Sequence, residues 1–218
     1  MHSTNDYVPA LGSAWATKFY DPIVRLTTRE TEFKQFMLEH AEIRPNSSVL
    51  DLGCGTGTLS VALKLAFPDS ALFAIDADEE ILAKAKLKAS EANANVEFKR
   101  GFSDSLPYQT GFFDKVFSTL FFHHIRTESK IATLREISRV LKPNGVFLLG
   151  DYGKPANRTQ KVASKIIRLV DGEETTRDNL NGSIPKLILE NGFVRSEVIK
   201  EFKTALGTIK IHRAQTAT

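Results

Sequence analysis

A glycine-rich turn in the first third of the chain is the segment best suited to bind a ligand. Gly53, Gly55 and Gly57 follow an apolar run and precede a segment with helical apolar spacing. This order predicts a strand, a tight turn and a helix. Glycines suit a turn that reverses sharply and whose backbone must approach a ligand without Cβ atoms in the way. The turn is therefore predicted to bind a nucleotide-like ligand.

Two details of this turn narrow the ligand. The dinucleotide fingerprint G-x-G-x-x-G needs glycine where this chain has Thr58, because its third glycine comes one position early, at Gly57. An acidic residue, Asp51, also precedes the turn. A buried carboxylate would repel a pyrophosphate but would favour an ammonium group. The ligand is thus expected to carry a positive charge near the turn, as S-adenosylmethionine does.

Polar residues that follow later predicted strands are further candidates. Asp76 ends the second predicted strand, about twenty residues after the turn, where a carboxylate can accept both hydroxyls of a ribose. A helix N-cap is the alternative role for Asp76. His123 and His124 follow the fourth predicted strand and are candidates for a general base, or for histidines bonded to nearby backbone. No metal is expected, because adjacent histidines lack a third ligand at a known spacing.

The elements that must position these residues alternate between strand and helix. Such alternation predicts right-handed crossovers and a mostly parallel sheet with helices on both faces. Two adjacent C-terminal strands with a short connection predict an antiparallel hairpin. The predicted strands are one within 48–66, then 71–75, 96–99, 115–120, 146–150, 193–202 and 204–211; the predicted helices are one within 48–66, then 78–91, 130–141, 158–170 and 184–190.

The segment before the glycine turn is predicted to be helical. Residues 14–40 form two helical patterns broken around Asp21 and Pro22. We expect residues 1–44 to be a lid over the ligand end of the sheet, with plain core packing as the alternative. Tyr20 in this segment could cover the cofactor with its ring. Residues 45–218 are expected to form one globular unit.

Composition limits the classes of partner and compartment. The 218 residues include 42% apolar residues and 29 basic against 26 acidic residues, a formal net charge of +3. This near balance gives no reason to expect a nucleic-acid partner. The single cysteine excludes an internal disulfide and a cysteine-based metal cluster. No apolar stretch reaches about 18 residues and no signal peptide is evident, so a cytoplasmic protein is expected.

These motifs together resemble a class I S-adenosylmethionine-dependent methyltransferase. The resemblance rests on the glycine turn, Asp76, the segments 101–107 and 113–114, and the segment 136–145, where Asn144 replaces the commoner glycine. It is similar to the branch that contains the ubiquinone and menaquinone biosynthesis methyltransferases. The resemblance implies a Rossmann-like sheet of seven strands, S-adenosylmethionine as cofactor and methyl transfer to a small molecule.

The resemblance also implies roles for single residues at the methionine end of the cofactor. Asp51 is expected to take the ammonium group, directly or through water. Backbone and hydroxyl groups of the turn are expected to contact the rest of the methionine part. These groups belong to Gly53, Gly55, Thr56 and Gly57.

At the adenosine end, the resemblance implies that Asp76 binds the ribose and that Ala77 lies under the adenine. Thr119, near the end of the fourth strand, is implied to contact the cofactor, with a buried threonine bonded to its own backbone as the alternative. Phe102 departs from the family, since many relatives carry an acid there that accepts the adenine amino group. The backbone amide of Ser103 can still donate to the ring, and Phe102 is expected to stack on it or to pack in the core.

The acceptor is expected to be apolar or aromatic, because four phenylalanines precede the two histidines, although most of them should be core residues. They are Phe112, Phe113, Phe121 and Phe122. Side chains at a strand end alternate in direction, so only one of the two histidines is expected to face the methyl group. The resemblance implies that this is His124, because the family carries a histidine directly before an apolar residue, here Ile125, so we expect His124 to be the base and His123 to matter less. Two alternatives stay open. One is an S-adenosylmethionine-binding protein without methyl transfer, and the less favoured one is an NAD-linked oxidoreductase.

One predicted helix has a basic face that could contact a membrane surface. Arg158, Lys161, Lys165 and Arg168 repeat at helical spacing. Such a face is usually only solvated, but it could rest weakly on anionic lipid headgroups if the acceptor is lipid-like. The sequence assigns neither the acceptor nor the oligomeric state.

Overall fold

The computed structural model describes residues 29–205 and 207–218, without the side chains of Ala163, Ile166 and Val170. Tyr20 and the first predicted N-terminal helix therefore lie outside the described residues. The second predicted helix of that segment is present as Glu30–Glu39. It buries Phe33 and Met37 completely. The assignment of residues 1–44 as a lid stays a prediction.

Seven strands form one sheet, as the sequence predicts. Their order is β3-β2-β1-β4-β5-β7-β6. The first five pair in parallel, and β7 runs antiparallel to both β5 and β6. The predicted C-terminal hairpin is thereby confirmed. The strands are β1 Ser48–Leu52, β2 Ala71–Asp76, β3 Glu97–Arg100, β4 Phe113–Thr119, β5 Leu141–Gly153, β6 Arg195–Lys203 and β7 Thr208–Gln215.

Helices cover both faces of this sheet. None in the described part of the chain is long and apolar enough to cross a lipid bilayer. A short 3-10 helix, Phe122–His124, follows β4. The helices are α1 Glu30–Glu39, α2 Thr58–Ala66, α3 Glu79–Glu91, α4 Thr127–Val140, α5 Arg158–Asp171, α6 Glu173–Asn181 and α7 Ile184–Glu190.

Consecutive residues of β1 enter different cores because strand side chains alternate between faces. Val49 packs with α1 and α2 on one face of the sheet. Leu50 and Leu52 pack with α4 and α7 on the other face. Both faces of β1 are therefore buried, which explains why it appears in the sequence as an almost continuous apolar run.

The prediction for the C-terminal part misses one helix and misplaces one strand. The polar sequence of α6 carries no helical apolar stripe, so no helix is predicted there. Its position depends on Lys130 of α4, whose side chain is fully buried and whose Nζ donates to Thr175 O at 2.6 Å and to Asp178 Oδ2 at 3.2 Å. The last strand begins at Thr208, later than predicted, because Thr204 and Gly207 close a turn with hydrogen bonds.

Lys130→Met should lower the free energy of unfolding by about 3 to 5 kcal/mol, because the change leaves the buried Asp178 carboxylate without its ammonium partner. The matched control is Lys186→Met, whose lysine side chain is 77% exposed and which should change stability by less than about 0.5 kcal/mol. Urea unfolding followed by circular dichroism measures both. Equal stability of the two variants would show that Lys130 does not fix α6.

Candidate active site

The glycine turn connects β1 to α2 and adopts the left-handed conformations that its glycines permit. Gly53 and Gly55 have φ angles of 66° and 54°. A Cβ atom at Gly53 would lie 2.6 Å from the ring of Phe121, so this glycine allows the ring to pack against the turn. A Cβ atom at Gly55 would meet nothing within 4 Å in the described structure. The backbone at Gly55 thus borders open space that a ligand can occupy.

Asp51 is a fully buried carboxylate beside this turn. Its Oδ2 accepts a hydrogen bond of 2.6 Å from the hydroxyl of Ser60 on α2. Its Oδ1 is buried and has no hydrogen-bond partner among the described residues. Burial raises the pKa of Asp51 to about 6. A buried acceptor without a donor is costly, so the site is suited to a ligand that brings a cationic donor.

Asp76 ends β2 and fixes the backbone on both sides of the site. Its Oδ2 accepts from Gly55 N at 2.9 Å, and its Oδ1 accepts from Asp78 N at 3.0 Å. The N-cap of α3 is Asp78, whose side chain accepts from the amides of Glu80 and Ile81. The alternative that Asp76 caps this helix is therefore wrong. Each oxygen of Asp76 keeps acceptor capacity for a further hydroxyl group, and burial raises the pKa of this carboxylate.

The remaining predicted cofactor residues lie around the same edge of the sheet. Thr56, in the turn, accepts a hydrogen bond from Lys88 of α3 at 3.0 Å. Ala77 follows Asp76 directly and is half-buried. Thr119 is the last residue of β4 and pairs with Gly150 of β5.

Phe102 lies in the turn after β3 with 53% of its surface exposed, so the alternative that it packs in the core is wrong. Its neighbour Ser103 shares a hydrogen bond of 2.7 Å with the hydroxyl of Thr133 on α4. This bond ties the turn to α4 and leaves the phenylalanine ring available for a flat partner.

The two histidines lie side by side, which contradicts the expectation that they point to opposite sides. The chain leaves the strand conformation after Thr119, because Leu120 has a φ of 51° and Phe122–His124 is a 3-10 helix. Strand alternation therefore no longer applies. The ring centres of His123 and His124 are 3.9 Å apart.

His123 is buried and held by an acid that the sequence analysis missed. Its Nδ1 lies 2.6 Å from Oδ1 of Asp151, and its amide donates to Oδ2 of the same carboxylate at 3.2 Å. Burial is the largest single influence and lowers the pKa of His123, but the charge and hydrogen bond of Asp151, together with the charge of Asp171, outweigh burial and raise this pKa. Asp151 lies immediately after the predicted fifth strand, so the strand-end position that identified Asp76 could also have identified this acid.

The pKa of His124 is shifted in the opposite direction from that of His123. Burial and the neighbouring His123 lower the pKa of His124 to about 3, so its ring is neutral at physiological pH and a weak proton acceptor. Its Nδ1 lies 3.4 Å from Oδ1 of Asp171, at the end of α5. The other oxygen of Asp171 lies 3.9 Å from Nε2 of His123. The premise that the histidines lack a third potential ligand is therefore wrong, because the fold supplies one from a distant helix.

The sequence is similar to a known protein family and to several of its members. Residues 49–145 match the methyltransferase domain family. The chain is 28% identical over 186 residues to an uncharacterized methyltransferase of Synechocystis sp., covering 85% of this chain and 84% of the relative. It is 42% identical over 122 residues to the demethylmenaquinone methyltransferase of Lactococcus lactis, covering 55% and 47%. Residues 49–145 therefore form a methyltransferase domain of the class I S-adenosylmethionine-dependent type.

The fold of this methyltransferase domain is shared with solved structures. The crystal structure of the YcgJ protein from Bacillus subtilis aligns with a TM-score of 0.73 at 20% identity, covering 85% of this chain and 98% of that one. At this identity the likeness shows the fold alone. The matched part spans about half the length of the Lactococcus enzyme, so that enzyme's acceptor is not transferred to this chain.

The methyltransferase family and the geometry agree on the cofactor. S-adenosylmethionine carries an ammonium group, which fits the unpartnered oxygen of Asp51, and ribose hydroxyls, which fit Asp76. The open space at Gly55 leaves room for the methionine part. The prediction of this cofactor from sequence is confirmed, whereas the role of each residue stays a prediction.

Two matched substitutions in the glycine turn test its role in stability and its role in cofactor binding separately. Alanine at Gly53 or Gly55 has to adopt a positive φ, which costs about 1 to 2 kcal/mol in either place. Only Gly53→Ala also clashes with Phe121, so it should be the less stable variant in urea unfolding. Gly55→Ala should stay folded and bind S-adenosylmethionine at least about tenfold more weakly, because its methyl group fills the space at the turn. Unchanged affinity of Gly55→Ala in calorimetry would contradict this placement.

Proposed function

We propose that this protein transfers the methyl group of S-adenosylmethionine to a small-molecule acceptor with an apolar or aromatic body. The observation that carries the proposal is the buried carboxylate of Asp51 beside the glycine turn, whose Oδ1 has no protein donor among the described residues. The ammonium of the methionine part supplies both the missing hydrogen bond and the opposite charge. An NAD-linked function is disfavoured, because a pyrophosphate would be repelled at this position.

The chemistry requires alignment more than covalent help. The sulfonium of the cofactor already activates its methyl group, so the enzyme mainly has to hold a nucleophile behind the methyl carbon. Asp51 and Asp76 would fix the two ends of the cofactor, since they lie at the ends of neighbouring strands of one sheet. The turn between them is itself held by the bond from Gly55 N to Asp76.

The acceptor side lies beyond β4. Phe121 packs against the glycine turn, and the two histidines follow it directly. Phe121 offers an apolar surface that suits an aromatic acceptor, in keeping with the quinone-type acceptor in the name of the Lactococcus relative. We assign His123 and His124 to acceptor positioning as one unit. The low pKa of His124 argues against this residue as the general base. The hydrogen bond to Asp151 makes His123 the better ordered of the two histidines.

Further assignments of partner and compartment stay predictions. The near balance of charges argues against a nucleic-acid partner, and a cytoplasmic location is still expected. On α5, Val162 and Leu169 are 65% and 85% exposed beside the basic residues Arg158, Lys161 and Lys165. This pattern suits weak contact with an anionic lipid surface. Cosedimentation with anionic vesicles at low salt tests it, and the absence of bound protein would remove the proposal.

Asp51→Asn should change ligand affinity and stability in opposite directions. The raised pKa means that the folded protein binds the Asp51 proton more tightly than the unfolded chain does. Stability is therefore lost as the pH rises from about 4 through about 6, and ionised Asp51 destabilises the ligand-free protein by about 2 to 3 kcal/mol at neutral pH. Asparagine removes this charge, so the ligand-free variant should be more stable than the wild type at pH 7.

The same variant should bind S-adenosylmethionine at least about tenfold more weakly, because the ammonium loses its anionic partner. Urea unfolding at acidic and neutral pH measures the stability difference, which should shrink at about pH 4. Calorimetry measures the affinity. The matched control is Asp69→Asn, an exposed aspartate before β2 at the opposite end of the strand, which should change neither. A folded Asp51→Asn protein with wild-type affinity would refute the role of Asp51.

Methyl transfer itself is tested with cofactor that carries an isotopically labelled methyl group. The protein is incubated with a metabolite extract, and mass spectrometry should find a labelled small molecule. Cofactor binding without any labelled product would favour the alternative of a binding protein without transfer activity. The departure at Phe102, where many relatives have an acid, is the feature that supports this alternative.

Once an acceptor is found, single-turnover rates of His123→Ala and His124→Ala should each fall by about 100-fold, because either change misplaces the acceptor. The double variant should be little slower than either single variant, since residues that act as one unit are not additive. Cofactor affinity should stay within about twofold in all three variants. The control is His40→Ala, an exposed histidine at the end of α1. Wild-type rates for both single variants would exclude the histidines from the reaction.

A further inference from the structure

Three potential metal ligands from two distant parts of the chain meet beside β4. They are His123 and His124 of the 3-10 helix and Asp171 at the end of α5. One ligand atom from each residue lies within 4.8 Å of the others. The carboxylate approaches both rings, with 3.4 Å from Oδ1 to Nδ1 of His124 and 3.9 Å from Oδ2 to Nε2 of His123.

His123 is oriented as a metal-binding histidine usually is. A carboxylate that accepts from one ring nitrogen fixes the tautomer and leaves the lone pair of the other nitrogen for an ion. Asp151 accepts from Nδ1 of His123, which directs Nε2 towards Asp171. Asp151 is itself immobilised, because it also accepts hydrogen bonds from the amides of His123 and Tyr152. The cluster therefore contains an immobilised carboxylate that orients His123, as well as three ligands.

We propose that His123, His124 and Asp171 bind one divalent transition-metal ion of the Zn²⁺ type. Two imidazole nitrogens and one carboxylate suit Zn²⁺ and neighbouring first-row ions, whereas Mg²⁺ and Ca²⁺ prefer sites made of oxygen atoms. Ligand atoms that lie about 2.0 to 2.2 Å from a tetrahedral ion are separated from each other by about 3.4 Å. The distance from Oδ1 of Asp171 to Nδ1 of His124 already has this value. One ligand atom from each of the three residues lies within 4.8 Å of the others, so side-chain shifts of about an ångström would close the set around an ion.

The charges around the cluster also favour a cation. Asp151 and Asp171 both face the histidines. Lys130 is the cation whose charge reaches His123, but its ammonium is bonded to the carboxylate of Asp178 at 3.2 Å. An ion would therefore bring positive charge to a place where the carboxylates of Asp151 and Asp171 both lie against His123.

Three protein ligands leave a coordination position open, which is the arrangement of catalytic rather than structural zinc sites. The cluster follows Phe121, so an ion there would lie on the acceptor side of the glycine turn. An acceptor oxygen bound at the open position would lose its proton more readily. This role rests on the proposed function, whereas metal binding itself does not depend on it.

The test uses full-length protein without a histidine tag, stripped of metal with a chelator and titrated with Zn²⁺ and Co²⁺. We expect one equivalent of either ion per chain and, for Co²⁺, the visible absorption of a four- or five-coordinate site. Calorimetry with S-adenosylmethionine runs in parallel, so that failure to bind metal is distinguished from failure to bind the cofactor. Absence of stoichiometric binding of both ions would overturn the proposal.

Variants assign the ligands. His124→Ala and Asp171→Asn should each weaken Zn²⁺ binding at least about 100-fold and abolish the Co²⁺ spectrum. Asp151→Asn should weaken binding by about 10-fold to 100-fold, because it changes only the carboxylate that orients His123 and leaves all three ligands in place. The matched control His40→Ala should bind both ions as the wild type does, and circular dichroism should show that every variant is folded. Wild-type metal affinity in folded Asp171→Asn, or equal losses in His40→Ala, would show that the ions bind elsewhere.

Discussion

Parallel pairing of β1 with β2 and β4 is the constraint on which the candidate site depends. Because parallel strands end at the same edge of a sheet, the glycine turn, Asp76 and the histidine segment emerge next to one another. The carboxylate of Asp76 then joins two of these segments, since it binds the amide of Gly55 in the neighbouring turn. The site is thus fixed by hydrogen bonds between strand ends, and the packed helices on both faces keep the strands in register.

Asp51 has the properties of a group that is placed for a ligand at the expense of stability. Its carboxylate is fully buried, its single protein donor is Ser60 among the described residues, and its pKa is raised by burial. An apolar residue in its place would let β1 pack with no unsatisfied oxygen. A destabilising group that a cationic ligand can neutralise is characteristic of a binding site rather than of a core.

The proposed acceptor side depends on a different structural feature. Leu120 adopts a left-handed conformation that ends β4, and the 3-10 helix that follows places two histidine rings in contact. Acids from β5 and α5 then approach the rings from separate parts of the chain. The buried ion pair between Lys130 and Asp178 anchors α6, which follows α5 directly. The chemistry of this side therefore depends on tertiary packing more than on any local motif.

The sequence by itself determined the sheet, its hairpin and the cofactor. Apolar runs, helical spacing and the early third glycine are local signals, and Asp51 and Asp76 stand at strand ends that these signals locate. The tertiary structure alone decided how Asp76 is bonded, that His123 and His124 share one side, and that Asp151 and Asp171 join them. These contacts could not be predicted from spacing, because a turn of a few residues sets the direction of a side chain and partners from distant helices have no fixed separation along the chain. Helix α6 was missed for the same reason, since a buried lysine of α4 rather than an apolar stripe holds it in place.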